Sequence, residues 1–205
     1  MFITFEGIDG VGKTTQIERL AAELRRQGRT VVLTREPGGT ALGEQLRQLV
    51  LDASLPLSAR TVVLLFLAAR SEHVERVIRP ALEAGQVVLC DRFCDSTFVY
   101  QGLAQGLAVS ELQGLRDLNA GATGGLLPDL TVVLDGSPEM LVQRRVQRGV
   151  TDRFEKQGLE FQQRLRQGFL ALAAAEPGRL QVVNAEQDAD AVEKRIAELV
   201  GKYFR

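Results

Sequence analysis

The chain has few of the residues on which many enzymes and secreted proteins depend. Its 205 residues include one histidine, two cysteines and no tryptophan, and only 5% are aromatic. The single histidine, His73, has no partner motif for nucleophilic catalysis. Cys90 and Cys94 match neither a zinc-ligand set nor a redox C-x-x-C pair, so both thiols are expected to stay reduced and without a role.

Charge of one sign and long apolar runs are also lacking. Lys and Arg total 25 against 26 Asp and Glu, a net charge of -1, which argues against a broad nucleic-acid surface and makes any anion site local. The longest apolar run, residues 61–69, is too short to span a bilayer, and no signal-like segment precedes the first predicted strand. Without linkers or repeats, residues 1–205 are predicted to form a single cytoplasmic domain.

Short apolar runs alternate with helix-length amphipathic stretches along the whole chain. The runs predict strands at 2–5, 30–33, 87–90, 130–134 and 180–183. The stretches predict helices at 13–27, 42–52, 59–83, 95–103, 110–119, 139–147, 159–175 and 189–203. This order predicts a three-layer α/β fold with a five-stranded parallel sheet flanked by helices, and ligands at the carboxyl ends of the strands.

The loop after the first predicted strand matches the phosphate-binding pattern G-x-x-x-x-G-K-[ST]. It consists of Gly7, Ile8, Asp9, Gly10, Val11, Gly12, Lys13 and Thr14. A strand before it and a helix after it complete the context that this loop needs to direct backbone N–H groups at phosphates. Lys13 is expected to reach the β and γ phosphates and Thr14 to hold Mg²⁺, so the chain is predicted to bind a nucleoside triphosphate.

Two charged residues near the first two strand ends have a functional and a plain interpretation. Asp9 could orient a metal-bound water or accept a hydrogen bond from an acceptor hydroxyl, or it could be a solvated loop side chain. Arg35 lies in the turn Thr-Arg-Glu-Pro-Gly-Gly-Thr after the second strand, where its planar fork suits a phosphate. The alternative for Arg35 is a surface ion pair with Glu36.

Two strands end in an aspartate that could hold Mg²⁺ through water. The runs before Asp91 and Asp135 both have the Walker B pattern, so the pattern alone does not choose between them. We favour Asp91 because Arg92 follows it and would place a cation where phosphates and metal meet. Asp135 is equally well explained as an acid near the start of the next helix.

The long predicted helix carries an aromatic residue and an arginine on one face. Phe66 and Arg70 are four residues apart, so Phe66 could stack on a planar base while Arg70 donates to the edge of that base. Packing in the core is the alternative for Phe66. His73 shares the face and is interpreted as a satisfied or solvated helix residue.

Four arginines lie close together near the end of a later predicted helix: Arg144, Arg145, Arg148 and Arg153. Cations at a helix C-terminus complement its dipole, which explains Arg148 better than Arg153. The segment at about 144–156 could instead be a lid that supplies an arginine to the transferring phosphoryl group.

Together, the phosphate loop and the arginines Arg35 and Arg92 predict an anionic acceptor. A phosphate monoester is already mostly deprotonated at pH 7, so its phosphorylation needs no general base. Catalysis would then rest on positioning and charge stabilisation. The residues indicate a nucleoside monophosphate kinase whose base preference stays open.

Several motifs, in chain order, resemble the bacterial thymidylate kinase family. They are Glu6 to Thr15, the turn Thr34 to Thr40, Leu65 to Arg70, Asp91 to Gly102 with the pattern DRFxxSTxxYQG, and Asp152 to Glu155. The resemblance implies transfer of the ATP γ-phosphoryl group to dTMP with Mg²⁺, giving dTDP. It also implies that ATP contacts the whole phosphate loop through Thr15, together with Arg144.

The resemblance further implies roles for residues around the acceptor. Phe66 would stack on thymine and Arg70 would bind its edge, near Thr97 and Gln101. The other implied contacts are with the phosphate and the sugar: Arg35 and Arg92 on the 5′-phosphate, Tyr100 against the 2′ position, Asp9 near the 3′-hydroxyl, and Glu160 near the sugar.

The phosphate loop departs from one part of the family. Some relatives carry an arginine where this chain has Gly10, so Arg148 and Arg153 of the lid become the candidate catalytic cations. The resemblance also implies a homodimer packed through helices that include residues 59–83. Two alternatives remain: a kinase for another nucleoside monophosphate, and a non-catalytic nucleotide switch, although the expected guanine-reading Asn-Lys-x-Asp is replaced by Asn184-Ala-Glu-Gln-Asp.

Overall fold

The computed structural model describes residues 1–141 and 158–204, and its five strands form one parallel sheet. The strands are β1 (Phe2–Glu6), β2 (Val31–Arg35), β3 (Val87–Asp91), β4 (Leu130–Asp135) and β5 (Leu180–Asn184). They lie in the order β2-β3-β1-β4-β5, with β1 at the centre. The predicted five-stranded parallel sheet is therefore confirmed.

Helices connect and flank the strands. They are α1 (Lys13–Arg26), α2 (Ala41–Leu51), α3 (Ala59–His73), α4 (Arg79–Glu83), α5 (Cys94–Thr97), α6 (Val109–Thr123), α7 (Gly158–Ala175) and α8 (Ala189–Gly201). Side-chain oxygens of Thr40, Ser58 and Asp188 accept hydrogen bonds at the starts of α2, α3 and α8. None of the described helices is long and apolar enough to cross a membrane.

The three central strands, β1, β3 and β4, are buried on both faces, and the side chains of β3 alternate between two hydrophobic clusters. In β3, Val87 and Leu89 belong to the larger cluster, whereas Val88 and Cys90 belong to the smaller one with Ile78. Such strands read as continuous apolar runs, which explains why they were visible in the sequence.

The prediction of one continuous helix at 59–83 is wrong in the middle of that range. It divides into α3, a π-helical turn at Val74–Ile78 and α4. Pro80 has no N–H to donate to the carbonyl four residues earlier, and a wider turn precedes it. The predicted helix at 95–103 is likewise interrupted: α5 passes into a π-helical turn at Phe98–Gly102 and a 3₁₀ turn at Leu103–Gln105.

The predicted helix at 139–147 begins at residue 138 and leaves the described residues after 141. The predicted lid at 144–156 lies wholly outside the described residues.

The carboxyl ends of β1, β2 and β3 bring three loops together. Backbone hydrogen bonds cross between these ends: Arg92 N donates to Phe5 O at 3.0 Å, and Glu36 N donates to Asp91 O at 2.9 Å. The phosphate loop, the turn after β2 and the segment after β3 therefore meet at one edge of the sheet, where open α/β sheets bind ligands.

A buried polar network ties α5 to the sheet and to the residue before β5. Asp95 accepts hydrogen bonds from two Arg179 nitrogens, at 2.7 and 2.8 Å, and from the Thr131 hydroxyl at 3.1 Å. The Thr131 and Thr4 hydroxyls are 2.8 Å apart, which extends the network to β1. Because α5 carries residues of the cleft, this network fixes one wall of the site.

We expect Asp95→Ala to lower the free energy of unfolding by about 2 kcal/mol, because it leaves the largely buried Arg179 with Glu176 as its remaining carboxylate partner and removes the acceptor of the Thr131 hydroxyl. Urea denaturation measures the change. Glu198→Ala, which breaks an exposed pair with Arg195, is the control and should change stability by less than about 0.5 kcal/mol. Equal losses in the two variants would contradict a structural role for the buried network.

Candidate active site

The phosphate loop joins β1 to α1 and packs against the hydrophobic core. Ile8 and Val11 are buried, so the loop is anchored by its apolar residues. Gly7 has a φ of 132°, and a Cβ there would overlap the carbonyl oxygen of Leu134. Lys13 Nζ donates to the carbonyls of Gly7 at 3.2 Å and Ile8 at 3.3 Å, which fixes the ammonium group at the mouth of the loop.

A polar cavity of about 800 Å³ opens over this loop. Its floor is made by loop and first-turn residues: Gly10, Gly12, Lys13, Thr14 and Thr15. Arg35 and Arg92 also line it. Backbone N–H groups at a helix start, one lysine and two arginines make this cavity suited to phosphates.

Thr14 and Asp91 are adjacent in the way that a phosphate-bound metal requires. The Thr14 hydroxyl donates to Asp91 Oδ2 at 3.4 Å, and Asp91 Oδ1 is buried without a hydrogen-bond partner. Within the described residues no cluster of three or more His, Cys, Asp or Glu could hold a metal. The pair therefore fits Mg²⁺ held by few protein ligands together with water and phosphate oxygens.

Asp135, the other Walker B candidate, already has a partner. Arg166 donates to both of its carboxylate oxygens, at 2.6 and 2.9 Å. This bidentate pair supports the choice of Asp91.

Arg92 joins the phosphate loop to the segment after β3. Its Nη2 donates to Asp9 Oδ1 at 2.7 Å and to the Tyr100 hydroxyl at 3.0 Å, and its Nη1 donates to Ser96 Oγ at 3.0 Å. The Tyr100 hydroxyl in turn donates to Asp9 Oδ2 at 3.1 Å. Asp9 is therefore part of an ion pair, and its interpretation as a solvated loop side chain is wrong.

Glu6 holds the backbone next to Arg92. Arg92 has a φ of 71°, a left-handed conformation that costs a non-glycine residue energy and persists only where its surroundings enforce it. The fully buried Glu6 carboxylate accepts from Phe93 N at 2.8 Å, Ser96 N at 3.2 Å and the Ser96 hydroxyl at 2.6 Å. These bonds fix the turn that presents Arg92 to the cavity.

The close charges shift the pKa values of the cluster. Burial raises the pKa of Glu6 to about 7, although Arg92 acts in the opposite direction. Burial also disfavours ionised Asp9, but Arg92 and Lys13 outweigh it and hold the pKa of Asp9 well below its ordinary value. Burial and the nearby Arg92 lower the pKa of Lys13. In this buried site, the positive charges of Lys13 and Arg92 are therefore nearly balanced by the neighbouring carboxylates.

A second cavity, of about 550 Å³, lies beside the polar one. The two share Asp9, Glu36, Arg47 and Arg92 in their linings. The second cavity is also lined by the residues assigned to the base in the sequence, Phe66, Arg70, Thr97 and Gln101, and by Tyr100, which was assigned to the sugar. An acceptor there would have its phosphate end at the shared wall.

The Arg70 guanidinium is buried and held by several hydrogen bonds, which its position in the sequence did not indicate. It is 1% exposed, its Nε donates to Glu36 Oε2 at 2.8 Å, and its Nη1 donates to Thr97 Oγ1 at 3.1 Å and to Asn119. Burial opposes its charge, but Glu36 raises the pKa of Arg70 above its ordinary value. The guanidinium therefore stays charged and oriented.

In the turn after β2, Arg35 and Glu36 do not form the surface ion pair that was the alternative for Arg35. Arg35 lines the polar cavity and pairs with Glu44 at 3.0 Å, whereas Glu36 is buried and binds Arg70 and His73. The surface pair between Arg35 and Glu36 is wrong. A solvated His73 is also wrong, because that side chain is fully buried.

Sequence reasoning missed Arg47, which lines both cavities from α2 and donates to the Pro37 carbonyl at 3.0 Å. It follows no strand, and only the packing of α2 over the sheet edge places it there, so no sequence signal was available.

Other predicted site residues are not brought into either cavity. Glu160 is exposed on α7, pairs with Arg164 at 2.7 Å and lines neither cavity. The candidate lid residues Arg144, Arg148 and Arg153 lie outside the described residues.

The fold and the paired cavities define the class: a phosphate-loop nucleoside monophosphate kinase. A family model described as thymidylate kinase matches residues 5–196. The thymidylate kinase of Symbiobacterium thermophilum is 51% identical over 98% of this chain and 92% of its own length, and that of Deinococcus radiodurans is 49% identical over 96% and 94%. A crystal structure of thymidylate kinase from Ehrlichia chaffeensis superposes with a TM-score of 0.76 at 37% identity, covering 98% of each chain. The chain belongs to the thymidylate kinase family.

We expect Glu6→Gln to remove a pH dependence of stability. Because the pKa of Glu6 is about 7 in the folded state against an ordinary 4.5, the folded chain binds more protons between these values, and stability falls as pH rises through them. The wild-type free energy of unfolding, relative to the variant, should fall by an amount on the order of 2 kcal/mol between pH 4.5 and 8. Urea denaturation across this range measures it, and a difference that does not vary with pH would contradict the assignment.

Proposed function

We propose that this chain transfers the γ-phosphoryl group of ATP to dTMP, with Mg²⁺, and forms ADP and dTDP. The observation that carries the proposal is the shared wall of Asp9 and Arg92 between a phosphate cavity and a pocket lined by Phe66 and Arg70. Two nucleotides bound end to end would meet at that wall, as in-line transfer requires.

The donor side is formed by the phosphate loop. Lys13 neutralises charge on the β and γ phosphates, while Thr14 and Asp91 are the residues that would hold Mg²⁺, largely through water. When bound, Mg²⁺ supplies further neutralisation of the phosphate oxygens. Because this loop has Gly10 where some relatives have an arginine, it lacks a cation at that position. We therefore assign the neutralisation of charge on the transferring phosphoryl group to Arg148 and Arg153, and a contact with ATP to Arg144.

The acceptor phosphate is held by arginines and needs no base. Arg92, Arg35 and Arg47 line the polar cavity together with the loop. An oxygen of the acceptor phosphate, already deprotonated at neutral pH, attacks the γ-phosphorus, and the bond to the bridging oxygen of ADP breaks. Asp9 stays ionised because of Arg92 and orients that arginine toward the acceptor.

The base end of the pocket presents hydrogen-bond donors. Because the Thr97 hydroxyl oxygen accepts from Arg70, its own hydrogen points elsewhere. Arg70 faces Glu36 with Nε and Nη2 and donates from Nη1 to Thr97 and Asn119. Nη2 carries two hydrogens, and we assign the second of them to the base. Donors match the carbonyl oxygens of thymine, whereas the amino group of cytosine would face them. Phe66 supplies an aromatic surface for stacking.

Tyr100 forms the sugar side of the pocket. Its ring packs edge-on against Phe161 and Phe169, and its hydroxyl is bound to Asp9 and Arg92. A ring fixed at both ends cannot move aside for a 2′-hydroxyl, so we assign to it the preference for deoxyribose.

A panel of nucleoside monophosphates tests the proposal. With ATP and Mg²⁺, dTMP should be converted with a kcat/KM roughly 10- to 100-fold above dCMP, since a mismatched buried donor costs about 1–3 kcal/mol. dUMP and UMP keep the carbonyls and differ from each other only in the 2′-hydroxyl, so their comparison separates the sugar from the base effect. Equal use of dTMP and dCMP would remove the assignment.

We also propose that two copies associate through neighbouring helices, and that the enzyme works in the cytoplasm. Large apolar side chains are 44–53% exposed on α2, α3 and α6, among them Leu42, Leu49, Leu64 and Leu118. A second copy of the chain would bury them.

Leu64→Glu should therefore convert a dimer to a monomer in sedimentation equilibrium, because it places a charge within that apolar face. Leu159→Glu, at a similarly exposed position on α7, is the control and should stay dimeric. A monomeric wild type, or a dimer unchanged by Leu64→Glu, would contradict this interface.

A further inference from the structure

A buried chain of three side chains lies behind the base end of the acceptor pocket. It runs from Thr34 through His73 to Glu36, whose carboxylate then meets Arg70. Thr34 and His73 line neither cavity, whereas Glu36 lines both. The chain therefore reaches the acceptor pocket through Glu36 and Arg70.

The two oxygens of Glu36 have separate partners. Oε2 accepts from Arg70 Nε at 2.8 Å and lies 2.7 Å from Arg70 Nη2, while Oε1 is 3.0 Å from His73 Nδ1. A carboxylate only accepts, so the hydrogen in the second contact belongs to His73 Nδ1. The imidazole thus fixes which oxygen of Glu36 faces Arg70.

His73 itself has no room to turn. It is 0% exposed, its Nε2 lies 2.6 Å from Thr34 Oγ1, and a Cβ on Gly39 would come within 2.5 Å of Nε2. The glycine turn after β2 closes directly on the ring. The orientation of Glu36 is therefore set by a ring that the fold holds rigidly.

We propose that His73 and Glu36 are positioning residues for the acceptor base: the Nδ1–H of His73 orients the Glu36 carboxylate, which aims the guanidinium of Arg70 into the pocket. This inference rests on the proposed function. It assigns a role to the only histidine of the chain, which lies outside the transfer chemistry. It also makes base selectivity depend on a residue that touches neither nucleotide.

Two isosteric variants separate the two hydrogen bonds of the ring. His73→Asn places an amide N–H where Nδ1 lies and keeps the donor to Glu36, whereas His73→Gln places an amide where Nε2 lies and keeps only the contact with Thr34. For His73→Gln we expect the KM for dTMP to rise about tenfold and the preference for dTMP over dCMP to fall similarly, the scale of a lost hydrogen bond to a charged group. The KM for ATP should change less than about twofold, because the phosphate loop keeps its contacts.

His73→Asn should restore the dTMP KM to within about threefold of wild type, because it retains the donor to Glu36. If His73 only stabilised the fold, the two variants would lose activity in proportion to their loss of stability. The KM for dTMP and the KM for ATP would then both rise. Equal behaviour of the two variants, or a parallel rise in the ATP KM, would overturn the proposal.

A spectroscopic measurement keeps the test independent of activity. Because the chain has one histidine, ¹⁵N NMR of the full-length protein shows a single imidazole. Its Nδ1 should carry a hydrogen, and the chemical shift of Nδ1 should change in Glu36→Gln. An Nδ1 without hydrogen would overturn the pairing. If wild type did not prefer dTMP, the proposed function would fail on the wild-type data alone, whatever the variants and the NMR showed.

Discussion

The ion pair between Arg92 and Asp9 is the contact on which the site depends. It joins the phosphate loop after β1 to the segment after β3, two pieces of chain that are 83 residues apart. Each cavity includes both residues in its lining, so the position of the pair sets the position of one nucleotide relative to the other. The left-handed backbone of Arg92 and the buried bonds to Glu6 keep the pair in place before any ligand binds. Preorganised charge of this kind needs little rearrangement during reaction.

The same electrostatics explain why polar residues are buried here at all. Lys13, Arg92 and Arg70 are cations removed from water, and each lies beside a carboxylate: Asp91 and Asp9 near Lys13, Asp9 and Glu6 near Arg92, and Glu36 beside Arg70. Unpaired, such charges would destabilise the fold by several kcal/mol. Paired, they remain charged and available to an anionic ligand. The enzyme thereby combines a folded apo state with a cleft that favours phosphates.

Local patterns predicted the parts of this structure that local forces determine. The five strands were recognisable because a doubly covered parallel strand must be apolar throughout, and the phosphate loop because its glycines and lysine have a fixed spacing. The sequence could not show that Glu36 and His73 are buried together, since a turn residue and a helix residue 37 positions apart meet only through tertiary packing. Arg47 was missed for the same reason. The π-helical turns were missed because hydrophobic periodicity does not resolve a one-residue change of register, although Pro80 marks one of them.

The central claim is that Asp9 and Arg92 form a common wall at which an acceptor phosphate meets the γ-phosphate of ATP. A crystal structure of the full chain with dTMP, Mg²⁺ and an unreactive ATP analogue tests it most directly. We expect the dTMP phosphate within hydrogen-bond distance of Arg92, its base between Phe66 and Arg70, and the γ-phosphate beside Lys13 across the same wall. A dTMP phosphate bound away from Arg92, with the Arg92–Asp9 pair broken, would contradict it.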